Sequence, residues 1–405
     1  MLLINNMKHK AMSNHLIVAF GGTSPEHEVS VLTAIQAISA LEGSSHQVIP
    51  LYISKSGKWF TGAKLLDLSS YKDLPKLERE SISCTFSKTD TGATVLKETS
   101  GGGLFSKPNE YSIYAVFMAF HGSDGENGSF QGICEQFNVP YTGSGVLASS
   151  VGMNKVAAKR MCQSVQIPVA QGVDFFEQEW VDNQDNLITE VEKISYPLVV
   201  KPVTLGSSIG VSRVSSQTEL VDAIEVAFRY DAHLLVEEAI HPLTEINCSV
   251  LGMPDDCRAS VCERPLGVGE ALSFEDKYQS DAGTDKGMAS ADRIIPADIS
   301  DELTHRIQEL SVAIFKLFNA SGVARLDFLV NSDTEEVYFN EINTIPGSFS
   351  FYLWDKSDVD FKSLIHELID IALKRHQQKN GRVRSYETNL LSEKAATGIK
   401  GLKGK

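Results

Sequence analysis

At 405 residues, with 42% hydrophobic and 22% charged residues, the chain outgrows one compact core and suits two or three α/β domains. A formal net charge of −15 argues against a nucleic-acid surface, which would need a basic patch, and no apolar run is long enough to span a bilayer. The polar start MLLINNMKHKAMSNH has no signal-peptide core, so the expected location is the cytoplasm.

The first element expected in chain order is LIVAFGG, directly after His15, a buried parallel strand ending in a glycine turn. SPEHEVSVLTAIQAISAL follows with helical spacing and HQVIPLYIS as a second strand, an order that favours an open parallel sheet. Residues from about Thr61 to Ser112 read as an irregular insertion, after which YAVFMAFHG resumes the sheet and SFQGICEQFN forms a helix. A helix from Met153 to about Val165 opens the next region. There, strand-like YPLVVKP and AHLLVEEAI flank a Gly/Ser turn and a helix from Gln217 to Tyr230. From Glu245 the strand-like segments INCSVLG, VARLDFLV and EVYFNEI alternate with a helix at Asp301–Asn319. A long polar stretch from Leu272 to Asp292 is expected to be functional, and the basic stretch beyond His376 reads as a tail. The six cysteines (Cys84, Cys134, Cys162, Cys248, Cys257, Cys262) lack zinc spacing and read as reduced structural thiols.

Four segments carry the chemistry. Gly206-Ser207-Ser208-Ile209-Gly210 lies just behind Val200-Lys201-Pro202, so backbone amides, hydroxyls and an ammonium are available to a polyphosphate, although the same pattern describes plain turns. It is not a Walker A loop. Arg325 and Asp327 share one strand face, as do Glu341 and Asn343. A hairpin around Asn331–Glu335 would gather two carboxylates and an amide oxygen, hard donors suited to Mg²⁺, or would form a solvated acidic face. His121-Gly122 with Gly125-Glu126-Asn127-Gly128 sits at a strand's carboxyl end, where open α/β sheets bind ligands. Glu26-His27-Glu28 sits at another such end, suited to an ammonium group or simply to a helix N-terminus.

Taken together in order, GGTSPEHEVS, HGSDGENGSFQG, VPYTGSG, MNKVAAKR, VVKPVTLGSSIGV, DKY, ARLDFLV and NEINTIPG resemble the signature set of D-alanine–D-alanine ligases, within the ATP-grasp superfamily, over roughly residues 15 to 376. The resemblance implies an α/β, three-domain ATP-grasp architecture with an N-terminal open parallel sheet domain. The expected divisions are a tail at 1–14, a substrate domain at 15–154, a small ATP-grasp domain at 155–244, a metal-bearing domain at 245–376 and a basic tail at 377–405.

It further implies that Lys155 and Lys201 contact ATP phosphates, that Ser207 and Ser208 lie in a flexible glycine-rich loop, and that Glu238 and Glu245 are the adenine- and ribose-side carboxylates. Asp327, Glu341 and Asn343 would bind two Mg²⁺ ions, with Mn²⁺ an alternative. Glu26 would receive the first D-alanine's ammonium, and His121 would lie near its carboxylate. Arg325 and a backbone amide near Gly347 would stabilise an oxyanion, while Lys277 and Tyr278 would belong to a closing loop, Tyr278 linked to Ser207 and Glu26. Tyr352 and Leu353 fall at the second substrate. The family has a serine where this chain has Tyr352, the hinge leaves Glu237 competing with Glu238, and Asp285-Lys286-Gly287-Met288 departs from the usual loop. The implied activity is ATP-dependent joining of two D-alanines through an acyl phosphate, for peptidoglycan precursor synthesis, by a homodimer. The alternatives are the same chemistry with another second substrate, such as D-serine or a hydroxy acid, and a non-catalytic ATP-binding regulator.

Overall fold

The computed structural model describes residues 15–99, 107–266 and 293–383. Among these, the chain builds three sheets in sequence. The first contains β1 (His15–Gly21), β2 (Gln47–Ile53), β3 (Trp59–Thr61), β4 (Ile82–Lys88), β5 (Thr94–Glu98) and β6 (Glu110–Met118), with α1 (His27–Ala40) and α2 (Leu74–Glu80) between them. Leu16 to Phe20 are fully buried because β1 is central, paired in parallel with both β2 and β6. The parallel strands stop there. β3, β4 and β5 run antiparallel and close the sheet into a barrel, so the expected open sheet is only its parallel core. The stretch read as an irregular insertion therefore supplies ordered strands. In β4 the residues Cys84 and Phe86 face the core while their neighbours face out.

Four helices follow: α3 (Ser123–Glu126), α4 (Ser129–Phe137), α5 (Val146–Met153) and α6 (Lys155–Gln163). The helix expected from Met153 starts two residues later: Met153 ends α5, and the Asn154 side chain accepts from the Ala157 N–H at 2.8 Å and so starts α6 at Lys155. The second sheet holds β7 (Gly172–Phe176), β8 (Leu198–Pro202), β9 (Ser212–Val214) and β10 (His233–Glu238) in the order β7-β10-β8-β9, with α7 (Glu177–Val191) and α8 (Gln217–Ala227) between strands.

The third sheet is antiparallel, in the order β13-β12-β11-β14-β15. Its strands are β11 (Leu243–Met253), β12 (Asp256–Pro265), β13 (Arg293–Ile294), β14 (Gly322–Asn331) and β15 (Val337–Asn343), and α9 (Asp301–Leu317) precedes β14. The chain ends its described course in α10 (Phe351–Asp355) and α11 (Phe361–Asn380), so regular helix continues beyond His376. Leu364, Ile365, Leu368 and Ile369 of α11 join the same hydrophobic core as β1 and β6, which ties the end of the chain to the first sheet. Half-buried Arg375 reinforces this joint, donating to the carbonyls of Tyr141 and Gly143 and stacking on the Tyr141 ring at 4.3 Å. The cysteines are all free thiols, buried except for half-buried Cys257.

Candidate active site

A cavity of about 680 Å³ opens between the second and third sheets. Lys155, Lys201, Ser208, Glu238, Glu245, Asp327 and Glu341 all line it, each of them singled out by sequence. The hairpin expected around Asn331–Glu335 is formed by β14 and β15, with Asp327 opposite Glu341 and Arg325 opposite Asn343. Strand register extends this into a row across four strands, Glu263–Asn247–Asp327–Glu341. Such a row presents its side chains to one face of the sheet.

Several charges at the cavity are held by ion pairs. Arg325 grips Asp327 in a fork, Nε to Oδ1 and Nη2 to Oδ2, both at 2.7 Å. Burial disfavours the guanidinium charge, yet Asp327 holds its pKa well above the ordinary value. Asn343 Nδ2 donates to Asp327 Oδ2 at 3.1 Å. Lys155 Nζ lies 3.6 Å from Glu341 Oε2 and donates to the Leu205 carbonyl at 2.5 Å. Lys201 Nζ donates to Glu237 and, at 3.3 Å, to Asn340 Oδ1.

Strand alternation in β10 gives Glu237 and Glu238 different surroundings. Glu237 is buried between Lys159 and Lys201, while Glu238 is half-buried and accepts from the Gln171 N–H at 2.9 Å. Burial alone would raise the Glu237 pKa, but the two ammoniums hold it down to about 2.

A second group sits at the carboxyl ends of β1 and β6. Glu26 precedes α1 and accepts from the Ser207 hydroxyl, which joins the glycine-rich loop to the first sheet. Ser207 and Ser208 both take positive φ, of 52° and 57°. His121 is buried, shares a 2.8 Å hydrogen bond with Thr33 Oγ1, and has its pKa lowered to about 4 by that burial. Beside it lies Glu126, which sequence had offered only as part of a motif. Its carboxylate accepts from the backbone N–H of Gly122 at 2.7 Å and of Ile345 at 3.1 Å. Burial, and then the nearby Glu26 charge, push its pKa up to about 8. Glu126 thus ties the His121–Gly122 turn to the segment after β15.

Near the other end of the row, Gly347 begins a short 3-10 turn whose Ser348, Phe349 and Ser350 all take positive φ. Buried Tyr352 donates its hydroxyl to Glu263 Oε1 at 3.2 Å, and the Arg293 guanidinium lies 4.0 Å from its ring centroid. Arg293 also pairs with Glu263 at 2.9 Å. Leu353 is fully buried, and neither it nor Tyr352 lines the large cavity. The expectations for Lys277 and Tyr278 lie outside the described residues. Sequence reasoning missed Lys159 and Glu263; the first carried a signal, one helical turn after Lys155, whereas the second lies in a strand that sequence did not anticipate.

Among the described residues no group of three or more His, Cys, Asp and Glu side chains forms a ready-made metal cage. The donor set of Asp327, Glu341 and Asn343 nonetheless fits Mg²⁺, which takes hard oxygens and characteristically keeps only one or two protein carboxylates beside nucleotide phosphates.

Two antiparallel sheets clasping a cavity lined with lysines and carboxylates, with the first sheet carrying a second polar cluster at its strand ends, define the three-domain ATP-grasp architecture. A family model described as the D-ala D-ala ligase N-terminus matches residues 15–144, and one described as the D-ala D-ala ligase C-terminus matches residues 161–370. The chain belongs to the D-alanine–D-alanine ligase family. It is 37% identical over 377 residues to the D-alanine–D-alanine ligase of Thermosipho melanesiensis, covering 93% of this chain and 98% of that one. The corresponding ligase of Bacillus velezensis is 37% identical over 366 residues, 89% of this chain and 98% of its own. Among solved structures, the D-alanine–D-alanine ligase from Coxiella burnetii superposes with a TM-score of 0.74 at 28% identity, covering 96% of this chain and 99% of that one. The VanG D-Ala:D-Ser ligase from Enterococcus faecalis gives 0.73 at 28% identity, with 89% and 99% covered.

Proposed function

We propose that this protein joins two D-alanines to D-alanyl-D-alanine with hydrolysis of ATP to ADP and phosphate, through an acyl phosphate. The observation that carries the proposal is the convergence of Lys155, Lys201, Asp327 and Glu341 on one cavity, with Ser207 linking its glycine-rich loop to Glu26. The nucleotide lies along the cavity, its nucleoside toward Glu238 and Glu245 and its phosphates at Lys155, Lys201 and Ser208. Asp327, Glu341 and Asn343 would hold two Mg²⁺ ions, which would supply charge neutralisation at the transferring phosphoryl group.

Glu26 receives the ammonium of the first D-alanine, and neutral His121 faces its carboxylate. That carboxylate attacks the γ-phosphorus while Lys155 and Lys201 offset the developing charge. The amine of the second D-alanine then attacks the acyl carbon. Arg325 and the backbone amide at Gly347 stabilise the oxyanion, and phosphate leaves. Lys277 and Tyr278 are proposed to close over the site and exclude water, which would otherwise hydrolyse the acyl phosphate. The acceptor is placed beside Tyr352 and Leu353. The three sheets support three domains, proposed at 15–154, 155–244 and 245–376, except that β11 begins at Leu243 and α11 runs on to Asn380, and the active form is proposed to be a cytoplasmic homodimer. Among the described residues no helix is long and apolar enough to cross a membrane.

A second reading keeps the chemistry and changes the acceptor. It is favoured by Tyr352, whose hydroxyl is already committed to Glu263. ATP-dependent phosphate release with Mg²⁺, measured across D-alanine, D-serine, D-lactate and L-alanine with products identified by mass, separates the two. D-alanine alone should suffice and yield the homodipeptide. Release only with a mixed pair would move the assignment to the second reading, and ATP binding without release under any acceptor would refute both.

A further inference from the structure

Among the described residues, Lys159 is the one buried lysine beside the cavity to which the proposed reaction gives no task. It stands one helical turn beyond Lys155 on α6, so both ammoniums leave the same helix face. Only 5% of it is exposed, and its Nζ donates to Glu237 Oε2 at 2.6 Å. The other oxygen of Glu237 accepts from Lys201. Glu237 on β10 and Lys201 on β8 are diagonal neighbours on one sheet face, since Lys201 is opposite Leu235 and Glu237 is opposite Val199. Lys155, Lys201 and Glu237 line the cavity, whereas Lys159 does not. It reaches Glu237 from behind, where no ligand in the cavity displaces it.

We propose that Lys159 is a positioning residue that frees Lys201 for a polyphosphate by giving Glu237 a permanent cation of its own. The inference rests on the nucleotide reading above. A buried carboxylate is costly unless a cation matches it. If Lys201 were the only cation beside Glu237, each move of its ammonium toward a phosphate would strand that carboxylate. With Lys159 in place, Glu237 stays paired while Lys201 turns to the ligand. The two ammoniums also repel each other across the carboxylate, which favours Lys201 facing the cavity.

The test is calorimetric binding of Mg²⁺–ATP, Mg²⁺–tripolyphosphate and adenosine to the full chain, comparing wild type, Lys159→Met, Lys159→Arg and the double variant Lys159→Met/Glu237→Gln. Lys159→Met should weaken tripolyphosphate and ATP by about tenfold or more, the scale of one charge-assisted contact, and leave adenosine unchanged. Lys159→Arg should bind as wild type. The double variant should regain tripolyphosphate binding, because Lys201 then has no carboxylate to neutralise. A merely structural lysine would weaken adenosine along with tripolyphosphate. Wild-type tripolyphosphate affinity in Lys159→Met, equal loss of adenosine, or a double variant as weak as the single one would each overturn the proposal. Should Lys159→Met fail to fold, the double variant and Lys159→Arg decide alone: wild-type binding of tripolyphosphate by both supports it, and weakened binding by either overturns it. Failure of the wild type itself to bind ATP and tripolyphosphate would instead refute the nucleotide reading.

Discussion

Substituting Gly122 with alanine tests the amino-acid end of the site without touching a side chain proposed to act in it. Gly122 has φ 69° and ψ 174°, a region that residues with a Cβ essentially do not occupy. A Cβ there would also lie 2.5 Å from Glu26 Oε2 and 2.5 Å from Ser24 Oγ, well inside contact distance. The backbone penalty alone is about 1–3 kcal/mol. Relieving the clash must move Glu26, the proposed ammonium receptor, or the turn that gives its N–H to Glu126 at 2.7 Å. We expect Gly122→Ala to lose about 1–3 kcal/mol in denaturant unfolding and to raise KM for the first D-alanine about tenfold or more, the scale of losing a contact to a charged group. KM for ATP should hold. Glu26→Gln should reproduce the KM change without the stability loss. If Gly122→Ala is destabilised while D-alanine kinetics stay at wild-type values, Glu26 does not bind the donor.

Three further outcomes are expected. Glu341→Gln should abolish turnover and leave the melting temperature within a few degrees of wild type; near-normal activity would remove Glu341 from the metal set. Tyr352→Ser should shift acceptor preference, read as dipeptide products by mass, far more than ATP affinity, since Tyr352 packs under Arg293 and outside the large cavity. Glu237 has its folded pKa depressed from the ordinary 4.5 to about 2, so its contribution to stability is complete above the ordinary value and drains as pH falls toward about 2. Glu237→Gln should flatten that acid limb in unfolding experiments between those pH values, and an unchanged slope would show that the carboxylate is not held by its lysines.

What sequence made legible was what short-range pattern encodes. Arg325, Asp327, Glu341 and Asn343 converge because alternate residues of a strand share a face and a local turn folds β14 onto β15. Glu26 and His121 were readable as residues just past strand ends. Long-range contact hid the rest. Nothing near Glu126 announces that Ile345 will supply its second N–H, and the carboxyl is an unusually weak acid because burial, then the Glu26 charge, outweigh that hydrogen bond. Glu237 and Glu238 are chemically identical neighbours, and only the choice of which β10 face meets α6 separates the lysine-bound one from the other. β4 and β5 have short, mixed patterns whose burial depends on closure of the barrel, and the hydroxyl of Tyr352 finds its acceptor on β12.

The pairing of charges inside the cavity implies that metal and nucleotide bind together. Asp327 is paired with Arg325, Glu341 lies against Lys155, and Glu237 is shared by Lys159 and Lys201. A divalent cation arriving alone would displace cations from the carboxylates and leave their ammonium or guanidinium charges buried and unmatched. A polyphosphate arriving alone would draw off the lysines and leave Glu341 with less compensation. Arriving together, each would offset what the other disturbs: on the proposed assignment, phosphates would take Lys155 and Lys201 as the metal took Glu341 and Asp327. Mg²⁺ affinity should therefore rise at least fivefold when the non-hydrolysable analogue of ATP is bound, the lower end of ordinary coupling between sites. Calorimetry with the analogue and metal titrated in either order should give the same factor. The comparison must count only metal bound by the protein, which a Lys155→Met variant isolates: removing the ammonium against Glu341 should raise the affinity for Mg²⁺ alone and shrink the coupling. Coupling that persists unchanged in that variant would show that the metal is brought by the nucleotide alone, and that Lys155 and Glu341 do not form the exchange.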